Sequence, residues 1–175
     1  MNIVLIGYRC SGKTEVGKIL ARELGKDFLD TDTLIEENAG SSIDQIVSRE
    51  GWDHFRKIEK GLIEEISHRD NLVVATGGGV VMDEDNVKNL KRKGLLIWLK
   101  GDAEVLKERM IKDQRSEKIR PSLTGTDPLE EITRVLSIRM PLYEKAETLT
   151  VDTGTLSIRE VASLIMETLP KESER

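Results

Sequence analysis

The chain has 175 residues, 38% hydrophobic, 34% charged and 3% aromatic, with 27 Lys+Arg against 32 Asp+Glu, a net charge of -5 and one cysteine. This length favours one domain over 1–175 with at most an insertion, and the acidic balance with two Trp, two Tyr and two Phe excludes general nucleic-acid binding, which needs a basic surplus and rings to stack bases. One cysteine closes no intramolecular disulfide, the N-terminus lacks a signal peptide's basic region and apolar core, and no apolar run nears the roughly 20 residues that span a bilayer; a cytoplasmic protein without membrane contact is expected.

Short aliphatic runs at 2–6, 27–29, 71–75, 95–99 and 149–151 read as strands separated by helices, an α/β pattern with a parallel sheet covered on both faces. The first helix carries the stripe Val16, Ile19, Leu20 and Leu24 and stops at Gly25. A second long helix runs through Phe55, Ile58, Leu62 and Ile66. The last opens with Ser157 and Glu160, a capping box, and continues through Val161, Leu164 and Ile165. The stretch 112–127 is polar, charged and without apolar period, and a loop of that length in a compact domain is expected to be a lid over an active site.

Between the first strand and first helix, Gly7-Tyr8-Arg9-Cys10-Ser11-Gly12-Lys13-Thr14 matches G-x-x-x-x-G-K-[ST]. Glycines let the backbone curl with its N–H groups inward, the helix N-terminus adds positive potential, Lys13 reaches the β- and γ-phosphates, and Thr14 offers a hydroxyl to Mg²⁺. Cys10 reads as a small residue tolerated in this loop, since nothing in the sequence activates its thiol.

The second strand runs into Asp30-Thr31-Asp32. Residues two apart on a strand project to one side, so both carboxylates are expected at a carboxyl end, where open α/β sheets bind ligands. One suits Mg²⁺ and the other an acceptor hydroxyl; the alternative is that Asp32 caps the next helix. Arg56 and Glu59 share a helical face and in isolation read as a weak surface pair. Gly77-Gly78-Gly79 after the third strand exposes amides or makes a tight turn. Arg120-Pro121 lies in the lid segment, and Arg139 lies on a helix that Pro141 is expected to kink or end. His54 and His68, in charged helical surroundings, read as surface residues.

In this order the motifs resemble those of shikimate kinases, from Gly7 to about Val151. The resemblance implies a three-layer P-loop kinase fold, related to nucleoside monophosphate kinases, with a five-stranded parallel sheet ordered 2-3-1-4-5. It implies an acceptor-binding segment at about 31–60, a lid at about 112–127, and transfer of the γ-phosphoryl of ATP to the 3-hydroxyl of shikimate; a monomer is expected. The resemblance also distributes roles. Lys13, Asp32 and Arg120 are catalytic, with Asp32 as base. Asp32, Arg56, Glu59, Gly78, Gly79 and Arg139 bind shikimate; Thr14 and Asp30 hold Mg²⁺; and Arg9, Cys10, Ser11, Gly12, Lys13, Thr14, Arg109 and Arg120 bind ATP. Trp52 stands where that family commonly has Glu. The rival readings are a P-loop kinase for another hydroxy acid such as gluconate, and a nucleotide-binding switch without catalysis, which needs no acceptor pocket.

Overall fold

The computed structural model describes residues 1–113 and 128–170. Strands β1 (Asn2–Ile6), β2 (Asp27–Asp30), β3 (Leu72–Ala75), β4 (Gly94–Lys100) and β5 (Leu149–Asp152) pair in parallel in the order β2-β3-β1-β4-β5. The third strand starts one residue later than the sequence suggests, because Asn71 adopts φ +61°, outside the extended region.

Side-chain alternation sends successive β1 residues into two cores. Val4 and Ile6 pack with Val74, Leu96 and Trp98 on one face, while Ile3 and Leu5 pack with Val73, Ile97 and Leu99 on the other. Helix α1 (Lys13–Leu24), with Val16 and Leu20 inward, covers the second face together with α7 (Ile158–Thr168). The first face is covered by α3 (Ile43–Ser67), α4 (Glu84–Lys91) and α6 (Pro128–Ala146), and each aliphatic side chain so buried contributes about 1.5–3 kcal/mol. Helices α2 (Thr31–Ala39) and α5 (Ala103–Lys112) pack at the rim, α2 against α3 and α5 against α6.

Local chemistry sets the helix ends. Gly25 closes α1 in the left-handed conformation, and Ser157 with Glu160 forms the expected capping box on α7. Gly51, at φ +83° and ψ 171°, breaks α3 before the segment bearing Arg56 and Glu59. Pro141 does not end its helix. Helix α6 runs through it to Ala146, because Tyr143 and Ala146 lie buried in the first core, with Tyr143 stacked on Trp98 at 5.6 Å between ring centroids. That packing outweighs the roughly 3 kcal/mol penalty of an internal proline. Among the described residues no helix is long and apolar enough to cross a membrane.

Candidate active site

The loops that matter all leave the carboxyl ends of strands. After β1 the P-loop lies so close to β4 that a Cβ on Gly7 (φ +144°) would stand 2.6 Å from the Leu99 carbonyl oxygen, so this turn requires glycine. Lys13 is buried, its Nζ donating to the carbonyls of Gly7 and Tyr8 at 2.8 Å each. Thr14 Oγ1 donates to Asp30 Oδ2 at 2.8 Å, which joins the two residues assigned to Mg²⁺.

The idea that Asp30 and Asp32 project side by side from a strand is corrected. Strand β2 ends at Asp30, whose Oδ1 accepts the N–H groups of Asp32 and Thr33 and so caps α2. Asp32 instead reaches the ligand side from the first turn of α2, buried at 8% exposure. Asp30, not Asp32, is therefore the cap.

Beside the P-loop opens a cleft bordered by Asp32, Arg56, Glu59, Arg139, Arg9 and the triple glycine. Arg56 and Glu59 are no surface pair. Arg56 Nη1 donates to Glu59 Oε2 at 2.6 Å, Glu59 is 1% exposed, and the guanidinium lies 5.5 Å from the Trp52 ring and 5.1 Å from the Phe55 ring. Burial pushes the Glu59 carboxyl above its ordinary value; Arg56 opposes the shift and the negative charge of Asp32 adds to it. Its Oε1 is buried without a hydrogen-bond partner.

Arg139, buried on α6, donates from Nη1 to the Gly78 carbonyl at 3.2 Å, and the Tyr143 hydroxyl donates to the same oxygen at 2.5 Å. The glycines make room as well as exposing amides. A Cβ on Gly77 would stand 2.7 Å from Asp32 Oδ1, and one on Gly79 2.6 Å from Arg56 Cζ. Thr31 Oγ1 accepts the Gly77 N–H at 3.0 Å and ties this loop to α2.

Arg9 departs from its P-loop neighbours. Its backbone stays in the loop, but its side chain borders the cleft and pairs with buried Glu131 of α6. Arg109 lies apart from the cleft, donating to the Thr153 carbonyl and, at 2.9 Å, to Thr153 Oγ1 in the segment after β5. Arg120 and positions 114–127 of the expected lid lie outside the described residues. Both histidines sit at the surface, His54 paired with Glu50 at 2.9 Å. Tyr8, Thr31 and Tyr143 stand inside the motif stretches 7–14, 30–32 and Arg139-Met140-Pro141-Leu142-Tyr143 without a role of their own, whereas no motif marks Glu131 or Thr153.

A P-loop at the carboxyl edge of a 2-3-1-4-5 sheet, with guanidinium and carboxylate groups facing each other in the adjoining cleft, defines a P-loop phosphotransferase. The chain belongs to the shikimate kinase family, whose model ("Shikimate kinase") it matches over residues 9–170. It is 40% identical over 175 residues to a shikimate kinase of Symbiobacterium thermophilum, covering 100% of this chain and 99% of that protein. The solved structure of shikimate kinase from Acinetobacter baumannii in complex with shikimate superposes with a TM-score of 0.88 at 36% identity, covering 95% of this chain and 90% of that one. A gluconokinase from Sinorhizobium meliloti shares the fold alone, with a TM-score of 0.58 and 18% identity over 96% and 97% of the two chains.

Proposed function

We propose that the chain transfers the γ-phosphoryl group of ATP to the 3-hydroxyl of shikimate, giving shikimate 3-phosphate and ADP. The observation that carries this reading is the meeting of Arg56, Arg139, Asp32 and Glu59 in one cleft beside the P-loop. Two planar guanidinium groups suit a carboxylate, and the acidic groups suit ring hydroxyls. In our reading Arg56 and Arg139 clamp the shikimate carboxylate, and Glu59 orients Arg56. Gly78 and Gly79 offer backbone contacts to the ring. Asp32 accepts the proton of the 3-hydroxyl as its oxygen attacks the γ-phosphorus and the bond to the β–γ bridging oxygen breaks.

Lys13 exchanges its loop carbonyls for phosphate oxygens, with the backbone N–H groups of residues 9–14 around them. Arg109 is assigned to the adenine, and Arg120 to the transferring phosphoryl group. The hydroxyl of Thr14 and the carboxylate of Asp30, already in contact, are hard oxygen donors of the kind Mg²⁺ takes beside phosphates and water, so these residues fit that ion. Bound there, Mg²⁺ would neutralise charge on the β- and γ-phosphates. We read the active species as a cytoplasmic monomer.

The test is turnover of purified protein with MgATP across a panel of hydroxy acids. Shikimate should be phosphorylated, and activity on gluconate with none on shikimate would overturn the reading. Arg139→Ala should raise the KM for shikimate by about tenfold or more while leaving that for ATP within about twofold, as expected for loss of a charge-assisted bidentate contact.

A further inference from the structure

The P-loop has two sides. Its glycines and N–H groups form the phosphate cradle, while the side chains of Tyr8 and Arg9, 2% and 7% exposed, border the acceptor cleft. Arg9 Nη2 donates to Glu131 Oε1, and the Glu131 side chain, carried by α6, is fully buried. Arg9 Cζ stands 5.5 Å from the Tyr8 ring centroid, and Arg139 approaches the same ring at 5.9 Å, so Tyr8 spaces two guanidinium groups along one wall. The Gly78 position packs against the Arg9 backbone, a Cβ there lying 3.5 Å from its nitrogen, which brings the acceptor loop up to the same residue.

A buried guanidinium is tolerated only when paired and hydrogen-bonded. Glu131 supplies the counter-charge through Nη2 and leaves Nε without a partner, so the fork keeps donors beyond this pair. Arg9 is one of the residues that line the acceptor cleft, with Tyr8 and Arg139 beside it.

We propose that the Arg9 side chain is an acceptor-binding and selectivity residue, a third guanidinium beside Arg56 and Arg139, fixed by Glu131, and that it does not serve the nucleotide. The chemistry it recognises is an anionic or hydroxyl oxygen of the acceptor. Arginine matters here for its planar fork, because an ammonium group would reach the cleft as a point charge without the same geometry. The proposal rests on the acceptor reading above.

The experiment measures steady-state KM for shikimate and for MgATP in wild type, Arg9→Met, Arg9→Lys and Glu131→Gln. Expected are a rise of about tenfold in shikimate KM for Arg9→Met, a smaller rise for Arg9→Lys and Glu131→Gln, and a KM for ATP within about twofold throughout. A rise confined to ATP, or an equal rise in both constants, overturns the proposal and leaves Arg9 as a nucleotide residue or a structural tie. If Arg9→Met does not fold, as judged by circular dichroism, the two conservative variants read the same split. Absence of wild-type turnover on shikimate would instead sink the acceptor assignment itself, so the two failures are distinguishable.

Discussion

Cys10 has φ +60°, a left-handed conformation that costs a residue other than glycine about 1–2 kcal/mol, offset in part by the smaller entropy loss of a residue with a Cβ. Cys10→Gly should therefore raise stability by up to about 1 kcal/mol in urea unfolding, whereas β-branched Cys10→Val should lower it; loss of stability in the glycine variant would show that the thiol's contacts outweigh the strain. Glu59 makes a second residue-level statement, through protons. Burial raises its folded-state pKa above the ordinary 4.5, so between 4.5 and the shifted value the native state binds more protons than the unfolded chain. Its favourable contribution is complete below 4.5 and is lost as pH rises through the folded value. Glu59→Gln should flatten the fall of Tm over that window, measured by thermal scans across a pH series, and an unchanged slope would place the titration elsewhere.

At the scale of elements, α6 carries more of the site than its motif suggests. Arg139, Tyr143 and Glu131 all lie on it, and Tyr143 holds the Gly78 carbonyl from beneath while stacking on Trp98. Tyr143→Phe keeps the stack and removes one of two donors to that oxygen. It should lower stability by about 1 kcal/mol and raise shikimate KM more than ATP KM, read by denaturation and by steady-state kinetics. The strands, α1 and the α7 cap were legible in the sequence because their signals are local, resting on aliphatic runs, a 3.6-residue stripe and a capping box. Arg56 and Arg139 were legible as motif members, but their burial was not. The Arg9–Glu131 pair spans 122 residues and the Tyr143–Gly78 contact 65, separations that no local period encodes. Of the two outcomes expected at Pro141, a kink or an end, the helix does not end there, because the core entered by Tyr143 and Ala146 outweighs the local penalty. Asp32 departs from strand alternation because it lies two residues beyond the end of β2, where a helix has already begun.

Across the whole molecule, the ends of the sheet differ in kind. The carboxyl ends of the strands gather the P-loop, Asp30, the glycine loop and Thr153, while the amino end is trimmed by exposed ties such as the Met1 amino group to Asp70 at 2.8 Å. Exposed pairs of that sort contribute little, so stability resides in the two layers of aliphatic side chains against the sheet. The described charges around the cleft have a kinetic consequence. Arg9, Arg56 and Arg139 are matched one for one by Asp32, Glu59 and Glu131. Beyond a Debye length of about 8–10 Å these opposed fields cancel, so the cleft neither draws an anion from bulk nor drives it away. The acceptor then arrives by unsteered diffusion and is recognised only on contact. Its kcat/KM should change by less than about threefold as salt is raised from low to physiological ionic strength, and a steep fall would reveal long-range attraction instead.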